Sequence, residues 1–389
     1  MQNRQTTYKN TEIGLIPEDW EVKELGKYSF ITKLAGFEYS LHFNSYKDTG
    51  EIIVIRGTNI THNKLDLSDI RTIPRKTSNF LLRSKLYKND LVFAYVGTIG
   101  PIFLVEEDDR FHLGPNTSKI TVNKELNSRF LFHYFTSSYL KKEIIEHTSI
   151  GAQPSLSMSK IRSFKIIVPP SLTEQKAIAT ALSDTDALIS SLEKLISKKR
   201  AITQGAMQEL LKPKDGWEVK KLGDVAEIKK GQLITDKTRI DGSIPVIAGG
   251  KKPAYFHNLP NRLGKTITIS GSGASAGYVS FHAYPIYASD CSTIEESLKY
   301  SIEFLYFYLI FKQSDIYNMQ TGGAQPHVHP TDLNPLKLYL PNKNEQTRIA
   351  TILSEMDTEI QKLENKLNKY KQIKQGMMQQ LLTGKIRLV

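Results

Sequence analysis

The chain predicts two copies of an α/β (α+β) module, each followed by a long helix, with the two helices paired as an antiparallel coiled coil. Three observations carry this. Gly151-Ala-Gln-Pro154 recurs as Gly323-Ala-Gln-Pro326. The stretch EQKAIATALSDTDALISSLEKLI from Glu174 recurs as EQTRIATILSEMDTEIQKLENKL from Glu345. WEVKELG from Trp20 recurs as WEVKKLG from Trp217, and these hold the only two tryptophans. A period this long is not that of a solenoid. It describes a pseudo-twofold internal repeat of one large unit.

The first globular region is placed at residues 16–168. Its strand-like runs are EIIVIRG from Glu51, DLVFAYVG from Asp90, PIFLVEE from Pro101 and SKITVN from Ser118. All are β-branched or aromatic and are bounded by Gly, Asn or Pro. SRFLFHYFTSSYLKKEIIEHT, from Ser128, reads as one helix with aromatics on one face. Pro169-Pro170 closes the region, and a helical segment follows over 169–213. The second region, 214–340, repeats the order with IPVIAGG, KTITISG, GYVSFHA and PIYAS, then the helix IEFLYFYLIFKQSDIYNM. Pro341 opens the last segment, 341–389. Proline disfavours helix in the residue before it, so each helix starts afterwards. Thr173 and Asn344 are the expected N-caps.

The coil is read from a 4-3 spacing of apolar residues. Ile349, Leu353, Met356, Ile360, Leu363, Leu367 and Tyr370 form the second seam. Ile178, Leu182, Ile189, Leu192 and Ile196 form the first, with Thr185 at one core position. The order domain, helix, domain, helix lets the second helix meet the first only by returning. A helix of about forty residues spans about 60 Å. Gly205 and Gly376, at matching points, predict a kink or a close helix crossing. Lys194, Lys198, Glu364 and Lys366 are left for partners or solvent.

The chain has 52 Lys and Arg against 40 Asp and Glu, a net charge of +12. That excess points to a polyanion, usually nucleic acid. A single cysteine, Cys291, excludes an intrachain disulfide and a Cys-rich zinc site and fits a reducing cytoplasm. The N-terminus shows no apolar leader, and no run is long enough to span a membrane.

The WEVK-x-LG openings, the Gly-Ala-Gln-Pro segments, the Glu-Gln-x-x-Ile-Ala-x-x-Leu-Ser entries and the terminal QLLTGKIRL from Gln380 together resemble the specificity subunit of type I restriction–modification systems. The resemblance spans nearly the whole chain and is weakest inside the globular regions. It implies two target recognition domains, each reading half of a bipartite double-stranded DNA target. It implies coils that set the spacing and dock two methyltransferase subunits, which restriction/translocase subunits then join. It implies no catalysis by this chain. S-adenosylmethionine, ATP and Mg would belong to partner subunits, leaving this chain without cofactor or metal.

Loops after strands are the expected DNA-binding carriers, because Arg, Lys, Asn, Gln, Ser and His read base edges or hold phosphates. In the first copy the candidates are Arg56, Asn59, Arg75, Lys76, Gln153, Ser155 and Ser157. In the second they are Gln232, Lys251, Lys252, Arg262, Gln325, His327 and His329.

Three motifs mislead. Gly271-Ser-Gly273-Ala-Ser-Ala276 follows a strand, but a strand rather than a helix is expected next, which spoils a dinucleotide fingerprint. Asp19, Glu21 and Lys23, with Asp215, Glu218 and Lys220 in the second copy, caricature a nuclease site but lie on single short segments. His327-Val-His329 with Asp332 has no counterpart in the first copy. No Asn/Asp-Pro-Pro-aromatic methyltransferase motif is present. The rival readings are a fused methyltransferase or endonuclease, which that absence opposes, and a coiled-coil adaptor without a DNA role, which the charge opposes.

Overall fold

The computed structural model describes residues 7–43, 49–149, 151 and 153–388. The first six residues and Ala152 of the first Gly-Ala-Gln-Pro segment lie outside them. The chain divides into two compact units, Met1–Ser191 with Leu367–Val389, and Leu192–Lys366. Each long helix therefore contributes one half to each unit.

In the first unit a four-stranded antiparallel sheet runs in the order Ile102–Leu104, Leu91–Ala94, Thr117–Val122, Ser29–Lys33. Beside it is a three-stranded sheet, in which Ile52–Ile55 pairs parallel with Phe111–Leu113 and antiparallel with Thr72–Ile73. Glu21–Glu24 pairs antiparallel with Lys165–Val168. The second unit repeats this topology. Its sheets are Val279–His282, Thr266–Ser270, Cys291–Glu295, Lys229–Lys230 and Tyr287–Ala288, Ile244–Ile247, Tyr255–His257. Glu218–Lys221 pairs with Lys337–Leu340. The duplication read from short motifs extends to strand order and strand direction.

Each aromatic helix supplies the core. Phe130, Tyr134 and Phe135 are buried in the first unit, with the Phe135 ring edge-on to Phe93 at 5.3 Å. Phe304, Leu305 and Tyr308 do the same in the second. The expected single helix from Ser128 is broken into Ser128–Phe135 and Ser138–His147. Ser137 causes the break: its hydroxyl accepts from Leu140 N and so starts a new helix. The counterpart likewise splits, into Ile302–Phe311 and Gln313–Tyr317.

The long helices run Leu172–Leu210 and Lys343–Leu381, 39 residues each. Their caps lie two residues earlier than expected. Ser171 Oγ accepts from Thr173 N, and Asn342 Oδ1 accepts from Glu345 N. In the first unit the pairing is antiparallel: Ile178 and Leu182 share a core with Leu381 and Leu382, while further along Asp186 meets Lys374 at 2.6 Å. Thr185, at its seam position, donates to the Ala181 carbonyl and lies 3.5 Å from Met377 Sδ. In the second unit Leu211 shares a core with Ile349 and Leu353, and Lys199 reaches Glu359 at 2.8 Å. Ile189, Leu192 and Ile196 are buried. Met356, Ile360, Leu363, Leu367 and Tyr370 are half-buried, as a two-helix seam allows. Two expectations fail. A Cβ at Gly205 or Gly376 would meet nothing within 4 Å, so neither glycine marks a close crossing. Glu364 is not left over but pairs with Arg200 at 2.5 Å.

The Glu-Gln pair at each helix entry has a structural task. Gln175 Oε1 accepts from Asn127 N, and its Nε2 donates to the carbonyls of Glu125 and Pro169. Gln346 Oε1 accepts from Ser301 N, and its Nε2 donates to the Pro341 carbonyl. Asn127 and Ser301 are the N-caps of the two aromatic helices. One buried amide in each unit thus ties the long helix to the start of the core helix.

Candidate nucleic-acid interface

The Gly-Ala-Gln-Pro segments do not stand alone. In the first unit Gly97 N donates to the Pro154 carbonyl at 2.9 Å, and Leu156 N donates to the Tyr95 carbonyl. In the second, Gly273 N donates to the Pro326 carbonyl at 3.0 Å, and Val328 N donates to the Gly271 carbonyl. Gly97 and Gly273 both adopt positive φ, +75° and +77°, which glycine tolerates without strain. A glycine turn after a sheet strand and the Gln-Pro loop therefore form one frame, built twice. Gln153 and Gln325 are exposed on it. Ser155 and His327 occupy matching bridge positions, against Val96 and Ser272. His327 stacks on His329 at 5.9 Å.

Other candidates are distributed. Lys76 is exposed near the start of helix Arg75–Phe80. Gln232 and Lys252 are exposed, and Lys251 Nζ lies 5.2 Å over the Tyr278 ring. Five candidates are committed within the fold. Asn59 is 3% exposed, accepts from Arg56 Nε, and donates to the carbonyls of Asp66 and Asp69. Arg56 pairs with Asp69 at 3.0 Å. Arg75 holds Glu51 at 3.3 Å. Ser157 caps the short helix Met158–Ser163 through Lys160 N. Arg262 donates to Thr293 Oγ1 at 3.0 Å and to the Asn261 carbonyl at 2.8 Å, with Glu295 at 3.6 Å. Arg56, Asn59 and Arg262 hold loops, because buried guanidinium and amide groups require partners, while Arg75 and Ser157 stay exposed beside the bonds they make. Thr98 and Ala274, exposed on the glycine turns, were not singled out in the sequence. The signal available was the matching of those turns to the Gln-Pro loops.

The misleading motifs resolve locally. The loop from Gly271 leads into strand Val279–His282, and its counterpart from Gly97 in the first unit likewise joins antiparallel strands. Glu21 pairs with Lys23 at 3.0 Å and Glu218 with Lys220 at 2.6 Å, each along one strand. Asp332 accepts from His329 N and so caps a turn. Among the described residues no group of three or more His, Cys, Asp and Glu could hold a metal, and no helix is long and apolar enough to cross a membrane. Burial pushes the Cys291 thiol up to about 12, the protonation of an inert core cysteine.

The model of the type I restriction modification DNA specificity domain matches residues 17–202 and 214–375. The chain belongs to that family. It is a type I restriction–modification specificity subunit with two target recognition domains. It is 26% identical, over 99% of this chain and 98% of the relative, to a putative type I restriction enzyme MjaX specificity subunit of Methanocaldococcus jannaschii. It is also 26% identical to the type I restriction enzyme EcoBI specificity subunit of Escherichia coli, over 51% of this chain and 41% of that one. The type I S subunit of M. genitalium superposes with a TM-score of 0.70 at 18% identity, covering 93% of this chain and 96% of that one. That likeness concerns the fold.

Proposed function

We propose that this specificity subunit reads a bipartite double-stranded DNA target without catalytic activity of its own. Residues 16–168 and 214–340 are the two readers, and the helical segments 169–213 and 341–389 are the spacer and docking surface for two methyltransferase subunits. Restriction/translocase subunits join the full complex, in the cytoplasm. S-adenosylmethionine, ATP and Mg act on those partners.

The observation that carries the reading is the duplicated turn-and-loop frame. Its backbone hydrogen bonds are the same in both units and Gln153 matches Gln325, while the side chains that follow differ: Ser155 and Ser157 in one, His327 and His329 in the other. A constant frame with changed side chains suits two readers of different base strings, because side chains at groove edges specify the sequence. The net charge of +12 suits phosphate contact. The test is selection from randomised duplexes by the chain assembled with its methyltransferase partner, with methyl transfer assayed for the chain alone. Two half-sites separated by a fixed gap are expected, with no transfer by the isolated chain. One contiguous site, or transfer without the partner, refutes the proposal.

A further inference from the structure

The opening tryptophan of each unit sits beside the same Glu-Gln helix entry, and in the first unit a cation completes that corner. The Arg387 guanidinium lies 5.5 Å over the Trp20 ring. It donates to both carboxylate oxygens of Asp19, at 2.9 and 3.0 Å, and to both oxygens of Glu174, one of them at 2.7 Å. Glu174 is fully buried, so its charge requires this partner. Arg387 comes from the chain's last residues, beyond the end of the second long helix.

In the second unit the same junction is continuous. Residues 212–216 lead directly from Leu211 to Trp217, and among the described residues no arginine lines the corner. The corner stays open as a cleft of about 480 Å³, whose lining includes Asp215, Trp217, Glu218, Glu345 and Gln346. Trp217 is half-buried where Trp20 is wholly covered. Glu345 matches Glu174. Gly216 takes the place of Asp19, and the carboxylate falls one residue earlier, on Asp215. Neither Asp215 nor Glu345 forms an ion pair among the described residues. Three lysines line the same cleft. Lys220 is engaged by Glu218 at 2.6 Å, and Lys343 donates to the Leu298 carbonyl; Lys299 is the third.

We propose that this cleft binds an arginine side chain supplied by another polypeptide. The first unit displays the ligand chemistry in full: an indole face for a planar cation and carboxylates for its fork of donors. Lysine offers neither the plane nor the fork. This chain's Arg387 is committed four times over, and a second copy would hold its own tail in the same way. The occupant is therefore a different protein. Its identity as the methyltransferase subunit rests on the function proposed above; the cleft's preference for arginine does not.

Two experiments on the full-length chain test this. In the first, the two tryptophan indole N–H signals of the ¹⁵N-labelled protein are followed while acetyl-Gly-Arg-Gly-amide is added. The Trp217 signal should shift saturably and the Trp20 signal should stay. The lysine peptide and the neutral, isosteric citrulline peptide should bind at least about tenfold more weakly. Glu345→Gln should remove the shift. Equal responses to citrulline, a shift that survives Glu345→Gln, or no shift at all overturns the cleft. In the second, the chain carrying Glu345→Gln and Asp215→Asn is titrated with the methyltransferase subunit. Association at least about tenfold weaker, with an unchanged melting temperature, is expected. Unchanged association overturns the assignment of the occupant. Failure of the unaltered chain to associate counts against the proposed function instead, and leaves the peptide titration to decide the cleft. Self-association that the double variant abolishes would make the occupant a second copy and overturn the proposal.

Discussion

Gln175 and Gln346 show how one side chain can carry a repeat's architecture. Each amide is buried and bonds both the entry of the core helix and the proline carbonyl that precedes its own helix. Gln175→Met keeps the length but orphans Asn127 N and the carbonyls of Glu125 and Pro169. A loss of about 2–4 kcal/mol is expected, or roughly 5–10 °C in the melting of that unit. A shift of under about 1 °C would show that these bonds contribute nothing. Acid sensitivity also has its origin at single residues. Burial, aided by Lys374 and Arg129, depresses His133 to about 3; burial with Lys119 and Lys85 nearby depresses His112 to about 3; burial alone takes His282 to about 4. These folded values lie below the unfolded value near 6.5, so the unfolded chain binds more protons in between. Their stabilisation is full above about pH 6.5 and is lost as pH falls towards 4 and 3. Each histidine steepens the loss by up to about 1.4 kcal/mol per pH unit. Urea midpoints at pH 7.5, 6.0 and 5.0 should fall, and less steeply in His133→Gln, whose parent ring bonds Ser183 Oγ at 2.9 Å. Parallel curves would exclude His133 from the effect.

At the scale of elements, the coil makes a quantitative claim. If the helices are a ruler, four residues added to both at facing points, after Leu195 and after Leu363, advance the far end by about 6 Å and rotate it by about 40°. Lys199 pairs with Glu359 while Leu211, further along, packs with Ile349 and Leu353, which marks the antiparallel facing within that unit. B-DNA rises about 3.4 Å per base pair, so the gap between half-sites should grow by one or two base pairs. Methylome mapping should show both half-site sequences unchanged. An unchanged gap in an active complex would leave the helices as docking surface only. The coil was legible because a 4-3 seam is local periodicity, and the longer strands because β-branched runs are local too. Other features depend on residues far apart in the chain. Strand Phe111–Leu113 exists through parallel pairing with Ile52–Ile55. The burial of Asn59 depends on Asp66 and Asp69, which the intervening turn brings back over it. The helix break at Ser137 turned on a capping hydroxyl that an aromatic stripe concealed. The exposed Gln153 and Gln325 were legible because their segment recurs verbatim.

For the whole molecule, the decisive property is separability. Each unit has its own aromatic core and its own copy of the sheet topology, and each long helix enters through its own glutamine latch. Duplicated scaffolds with private cores should tolerate replacement of one reader, since independently packed sites behave additively. Exchange of residues 16–168 for the corresponding region of another specificity subunit should preserve Trp20, Gln153-Pro154 and the strand Lys165–Val168. Trp20 and that strand share the core with the long helix and Pro154 meets the glycine turn, while Glu125 and Asn127 must be kept as well, because they are the latch's own partners. Such a chimaera should assemble with the same methyltransferase, keep the second half-site and its gap, and acquire a new first half-site. Its affinity should still fall steeply with salt, by about −0.9 in log–log slope per phosphate neutralised, because charge outside the exchanged region remains. If both half-sites changed together, the units would not be independent readers. The duplicated turn-and-loop frame would then be a structural inheritance without a share in base choice.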